Sequence, residues 1–279
     1  MTMNARTATR VALVTGASSG LGQATAKHLA ARGDRVYGAS RRPSPDPDRA
    51  WNMLPLDVRD DGSVERCVET LMAAEGRIDV LVNSAGHAFV GAVEETSLDD
   101  MKAQIETNFL GAFRMMRRIV PIMRGRRRGC IVNISSVAGV VPYPFLGAYS
   151  ASKHALEAIS EALALELRNS GVRLALIEPE GMNTSIAFHH PGVDHLVLAA
   201  KRREMLRRLE QSTQGDGGHD PSILAEAVAE AIDNDLSPLR TVIGDAAKAI
   251  IEARRTMPSD EFGDMIAESL DLGSALISA

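Results

Sequence analysis

The 279-residue chain has two cysteines, no long apolar run and no excess of positive charge, and each absence closes off a class of function. Cys67 and Cys130 form no CxxC pair and have no metal-ligand spacing, and two thiols make no disulfide framework, so a reduced cytoplasmic protein is expected. No stretch reaches the roughly 20 apolar residues needed to cross a bilayer. The opening "MTMNARTATR" lacks the apolar core of a secretory leader. A formal net charge of −5 argues against a general nucleic-acid binder. The one basic cluster, "RGRRRG" (124–129), falls between a helical pattern and a strand. It reads as a solvated loop, with a nucleic-acid contact as the competing reading. His189, His190 and His195 share no metal-ligand spacing on a regular element, so no metal is expected. Repeats and low-complexity segments are also absent.

What is present is an ordinary globular composition, 45% hydrophobic and 24% charged, patterned as alternating strands and helices. Apolar runs predict strands at 10–16, 35–40, 52–58, 78–86, 129–136 and 172–179. Helical periods follow the first strand, with Gly33 as a stop, and fill 63–75, 98–124 and 149–169, the last stopped by Gly171. Alternation with near-continuous apolar strands predicts a parallel sheet covered on both faces, with ligands at the carboxyl ends of its strands. The Pro-rich segment 41–48 and the polar segment 212–222 are too short to separate domains, so one domain over 1–279 is expected.

Two local patterns carry chemistry. "TGASSGLG" (15–22) follows the first strand and opens the first helix. Gly16 permits a tight turn, Gly20 lets a phosphate approach the backbone, and Gly22 allows close helix–sheet packing. The helix start then offers donors and a positive dipole end to a pyrophosphate, against the plainer reading of a tight turn. In "AYSASKHA" (148–155), Tyr149 and Lys153 are four apart and so share a helical face. An ammonium beside a phenol is expected to lower its pKa from about 10 toward the working range. The alternative is an exposed tyrosine beside a solvated lysine.

Together, "TGASSGLG", "NSAG" (83–86), Asn108 in "ETNFLG", "NISS" (133–136) and "YSASK" (149–153) resemble, in order and spacing, the short-chain dehydrogenase/reductases. The match spans roughly residues 10 to 185 and has the glycine spacing of the short, single-domain form. The tail around 239–255 more faintly resembles the retinol and 17β-hydroxysteroid dehydrogenase branch. The resemblance implies a doubly wound, Rossmann-type α/β sheet. Residues 10–185 would form the cofactor-binding and catalytic core, and 186–279 a helical substrate loop and C-terminal extension. It implies that Tyr149 is the proton donor or acceptor, that Lys153 tunes it and binds the nicotinamide ribose, and that Ser136 hydrogen-bonds the substrate oxygen. Ser135 would point the other way, and Asn108 would hold a water linking Lys153 to solvent. Cofactor contacts are implied for Gly16, Ser18, Ser19, Gly20, Leu21, Gly22, Asp57, Val58, Asn83, Ala85, Gly86, Pro179, Gly181, Met182 and Thr184. Among these, Asp57 would take the adenine amino group and Thr184 the carboxamide.

The second strand ends in Ser40, Arg41 and Arg42 rather than the carboxylate that grips a ribose 2′-hydroxyl. A serine and guanidinium groups suit a 2′-phosphate, so NADP(H) is expected, with NAD(H) and two solvated arginines as the alternative. Ser18 and Ser19 supply no basic partner. "PYPFLG" (142–147), Ile186, Phe188, Val193, Leu196, Val197, Leu198 and Met205 are apolar at substrate-loop positions. A hydrophobic ketone, aldehyde or alcohol is therefore expected, although a plain lid helix would look the same. His87 either touches substrate or is a packed or solvated histidine. Glu180 stands where the family commonly has glycine; a need for positive φ there would cost about 1–3 kcal/mol, unless Gly181 takes up that conformation. The resemblance also implies a homodimer or homotetramer, no nucleic acid and no membrane. The competing function is a non-catalytic, nucleotide-sensing regulator on the same fold.

Overall fold

A computed structural model describes residues 9–44, 46–184, 186–191, 198–213 and 218–269. Residues 1–8, His195 and the substrate-loop candidates Val193, Leu196 and Val197 lie outside that set.

The apolar runs become strands and the periodic stretches become helices. β1 (Val11–Thr15) leads into α1 (Gly20–Ala31), which stops at Gly33, where φ is 87°. β2 (Arg35–Ser40) and β3 (Asn52–Pro55) follow. α2 (Asp61–Glu75) is started by Asp60, whose carboxylate accepts from the Ser63 amide. β4 (Val80–Asn83) and the short β5 (Ala88–Phe89) come next. The helical pattern predicted as one piece over 98–124 is divided. α3 (Leu98–Ile105) passes through a π-helical turn, Glu106–Leu110, into α4 (Gly111–Gly125). An extra residue in one turn rotates the side chains after it, and here that turn carries the buried Asn108. β6 (Gly129–Ile134), α5 (Gly147–Glu166), β7 (Val172–Pro179) and the short β8 (Phe188–His189) complete the core. The C-terminal segment holds α6 (Ala199–Thr213), α7 (Pro221–Asp233), β9 (Arg240–Ile243), α8 (Asp245–Thr256) and α9 (Ser259–Ser269). Expected to be helical, it also supplies a strand.

The main sheet has the order β3-β2-β1-β4-β6-β7-β9, and every pairing is parallel. This is the Rossmann-type doubly wound α/β fold, and the chain reverses direction across the sheet between β1 and β4. Alternate residues of each strand enter opposite cores. Val11, Leu13, Leu81 and Ile131 face α2, α4 and α5, while Ala12, Val14, Val82 and Val132 face α1 and α7. Burial on both faces explains why these strands read as unbroken apolar runs. Each fully buried Leu or Ile contributes about 1.5–3 kcal/mol relative to exposure.

The arginine cluster at 124–129 is at the far end of this sheet from the strands' carboxyl ends, and much of it is used internally. Arg126 pairs with the buried Asp79 at 2.9 Å, and Arg127 donates to the Asn169 carbonyl at 3.2 Å.

Candidate active site

The first part of the site is a cradle at the β1–α1 turn. Gly16 has φ of 70°, and a Cβ there would lie 2.9 Å from the Ala85 Cα, so the turn and the "NSAG" loop touch backbone to backbone. A Cβ on Gly22 would lie 2.5 Å from the Gly16 carbonyl oxygen, which keeps α1 tight against the turn. Thr15 Oγ1 accepts from the amides of Ser84 and Ala85 at 3.0 and 3.1 Å and fixes that loop. Ser19 precedes α1 without capping it, and the first turn of the helix has no acidic residue. The helix start is therefore available to an anion, which is the arrangement a phosphate requires. Ser18 and Ser19 are exposed, and Thr184 approaches Gly20 from the opposite side.

The other nucleotide-side candidates differ in what they offer. Ser40 ends β2 with a buried hydroxyl that has no partner among the described residues, and Arg41 and Arg42 beside it are exposed. Neither arginine forms an ion pair among the described residues. Asp57 is bound by Arg59 at 2.7 Å, which holds its carboxyl down at about 2. Val58 fills the face of Gly111 and Met182 is buried under α7, so both side chains belong to the core. Leu21 packs against the same core, and Pro179 is buried at the end of β7. Asn83 donates to Asn133 at 2.8 Å, and Asn133 donates to Ser160 at 2.8 Å, which ties β4 to β6 and α5.

The second part gathers where β6 ends and α5 begins. Lys153 is buried and donates to the Ile134 carbonyl at 2.8 Å, with its Nζ 5.8 Å from the centre of the Tyr149 ring. Ser136 contacts the Tyr149 phenol, and its Oγ accepts from the Ala138 amide at 3.1 Å, leaving its own proton to donate. The Ser135 hydroxyl faces Gly139, as strand alternation requires. Asn108 Oδ1 accepts from the His87 amide at 3.1 Å, while Nδ2 donates to the His87 carbonyl at 3.0 Å and to Ser152 at 3.2 Å. Gly86 is covered by that same side chain. Burial pushes the Tyr149 phenol up, and the Ser136 contact opposes it only partly. Burial lowers Lys153 to about 8, with Glu157 pulling the other way. The expected net lowering of the tyrosine is therefore corrected: burial outweighs it. The ammonium is anchored on a carbonyl rather than on the phenol, and desolvation dominates.

A wall of apolar side chains adjoins Tyr149. Val90, Ala92, Phe145, Leu146 and Met205 are buried there, with Tyr143, Phe188 and Leu198 packed against them. Phe145, four residues before Tyr149, has φ of 63°, an unfavourable backbone for a bulky residue. Its buried ring and the Gly91 amide, which donates to its carbonyl at 2.8 Å, hold it there. His87 is packed edge-to-face on His189 with ring centres 5.1 Å apart, and burial lowers it to about 4. Sequence reasoning missed Gln104, which is fully buried and clamps the same loop through Phe89 and His87 at 2.7 and 2.9 Å.

The architecture and the ordered motifs are those of a known family. A sequence model described as short chain dehydrogenase matches residues 10–190. The chain belongs to this family. It is 36% identical over 255 residues to a 3-ketodihydrosphingosine reductase of Bacteroides thetaiotaomicron, covering 90% of this chain and 94% of that one. A crystal structure of a short-chain dehydrogenase from Streptomyces avermitilis is 34% identical, with a TM-score of 0.83 over 96% of this chain and 99% of that one. A short-chain dehydrogenase/reductase from Burkholderia phymatum, solved in complex with NAD, is 26% identical, with a TM-score of 0.73 over 88% and 93%.

Glu180 has no strained backbone. Neither Glu180 nor Gly181 has positive φ. The Glu180 carboxylate instead accepts from the Ala247 amide at 2.7 Å, capping the start of α8, and contacts His219. Gly244, at φ 102°, leaves room for it. Sequence reasoning could not see this because its partners lie 39 and 67 residues away. Glu180→Gly should therefore lower stability by about 0.5–2 kcal/mol, the usual cost of a lost cap, with Glu180→Gln falling between the two. Denaturant unfolding of the three proteins measures this, and a glycine variant as stable as the parent would contradict it.

Proposed function

We propose that this short-chain dehydrogenase is an NADP(H)-dependent oxidoreductase that interconverts a hydrophobic ketone or aldehyde with its alcohol. The observation that carries the reading is the apolar wall beside Tyr149, built from Val90, Phe145, Leu146 and Met205 next to a buried Lys153. The relative named for 3-ketodihydrosphingosine acts, by that name, on a ketone, and a long apolar chain suits such a wall.

The residues present fit a nicotinamide dinucleotide. The uncapped start of α1 and the turn at Gly16, Gly20 and Gly22 suit the pyrophosphate, and the partnerless Ser40 hydroxyl with Arg41 and Arg42 suits a 2′-phosphate. Asp57 has acceptor capacity for the adenine, Lys153 for the nicotinamide ribose has two donors beyond the one spent on Ile134, and Thr184 is at hand for the carboxamide. When bound, this cofactor supplies or takes up the hydride.

The chain's own groups handle the proton and the oxygen. Because burial holds Tyr149 as the neutral phenol at pH 7, it is in the form that protonates a carbonyl oxygen during reduction. Ser136, which contacts the Tyr149 phenol, donates its O–H to that oxygen. Lys153, still mainly charged at neutral pH, favours the phenolate left after the proton departs. Asn108 fixes the loop at His87 against α5, with both of its polar atoms engaged. The same reading expects a cytoplasmic homodimer or homotetramer.

Incubating the protein with long-chain ketones and NADPH, following loss of reduced-cofactor absorbance, tests the function directly. Turnover should appear in the parent and fall by about 10²–10⁴-fold in Tyr149→Phe, the range for losing a general acid. Ser136→Ala should cost about 10²–10³-fold and Ser135→Ala much less. A Tyr149→Phe variant that keeps a tenth of parent turnover removes Tyr149 from the acid role.

Cofactor choice is a separate test. Losing one charge-assisted contact costs about 1.5–3 kcal/mol, so Arg41→Ala should weaken NADPH about 10- to 150-fold by calorimetry and leave NADH unchanged. Equal weakening of both, or a parent that prefers NADH, would contradict the 2′-phosphate assignment.

A further inference from the structure

One turn beyond Lys153 on α5 lies a second cluster of charge that the proton chemistry above leaves unused. Glu157, four residues on, is 6% exposed, and Glu178 on β7 is fully buried. A single guanidinium serves both. Arg240 Nε, on β9, is 3.0 Å from Glu157 Oε2 and 3.1 Å from Glu178 Oε1, and its Nη1 is 2.8 Å from the exposed Glu161. Two buried carboxylates facing one cation cannot both ionise cheaply. Burial, then the Glu157 charge, pushes Glu178 up to about 7 against the pull of Arg240 and Arg255. Burial also raises Glu157, while Ser135, Arg240 and Lys153 hold it down.

The groups facing Glu157 come from every element around it. They are Lys153 and Glu161 on α5, Ser135 after β6, Glu178 on β7 and Arg240 on β9, with Arg255 of α8 reaching Glu178. Glu157 Oε1 and the Ser135 hydroxyl crowd the same face of Gly139, three residues beyond Ser136. The carboxylate is therefore confined by the loop that carries the serine and by the strand that carries the arginine. Among these groups Lys153 is the buried cation on its own helix, at a spacing that puts the two side chains on one face.

We propose that Glu157 is a positioning residue for Lys153: fixed by Arg240, its carboxylate keeps the buried ammonium charged and on the Ile134 carbonyl. Its effect on turnover rests on the role given above to Lys153. The sign follows directly. Removing the anion disfavours the ammonium, so Lys153 loses its proton at lower pH, and reductase activity declines on the alkaline side at lower pH as well.

The chain has five lysines, so a protein labelled with ¹³Cε-lysine gives few resonances, and the Lys153 signal is the one missing from Lys153→Met. In Glu157→Gln the Lys153 midpoint should drop by about one pH unit. In Glu157→Asp, which keeps the charge one methylene further back, it should drop by less. An unchanged midpoint in Glu157→Gln, or an equal drop in both variants, would overturn the proposal. If the glutamine variant does not fold, an aspartate variant with the parent midpoint would overturn it too. This titration needs no substrate, so it separates the proposal from the reading of function. Absence of NADPH-linked turnover in the parent would count against the function alone.

Discussion

A buried ammonium on a carbonyl oxygen is the contact around which this molecule is organised. Lys153 reaches the Ile134 oxygen at 2.8 Å and so joins the start of α5 to the carboxyl end of β6. A buried charge is tolerable only when paired and hydrogen-bonded, and the surroundings supply that need. Glu157 gives it an anion one helical turn away, and Asn108 and Ser152 secure the first turn of α5. Tyr149, on the same helical face, is thereby held between the Ser136 hydroxyl and an apolar wall. The site is a consequence of where a charged side chain can be kept inside a sheet protein.

The C-terminal segment braces that arrangement from outside the cofactor core. α8 and α9 contribute Ile251, Phe262 and Ile266 to a cluster with Val141, against which Val137 and Val140 pack. These valines belong to the loop between Ser136 and Tyr149, so burial of the tail restrains the loop that carries the site. Glu180 anchors the start of α8, and β9 brings Arg240 to the carboxylates beneath Lys153. Glu180 and a strand half-exposed at the sheet edge thus both bear on the same centre.

The central sheet was legible because its strands are buried on both faces and read as apolar runs, from Val11–Thr15 to Val172–Pro179. β9 was not, because Arg240–Ile243 is short, half-buried and embedded in a helix-rich tail. β5 and β8 have two residues each, too few for any period to register. The π-turn at Asn108 was hidden for a different reason: one inserted residue barely disturbs a helical pattern, yet it redirects the side chain. The Tyr149–Lys153 spacing was readable, but its electrostatics were not, since burial depends on distant segments. Glu157 lay within reach of the same four-residue rule that singled out Lys153.

Tyr149 and Lys153 are proposed to serve hydride exchange with a carbonyl carbon on an apolar chain. Mass spectrometry of the product formed from a long-chain ketone and NADPH deuterated at nicotinamide C4 tests it most directly. The expected product is a secondary alcohol with one deuterium on the carbinol carbon, formed with one stereochemistry from one of the two C4-labelled cofactors. A product without the label, or no alcohol from any hydrophobic ketone with either reduced cofactor, would contradict it.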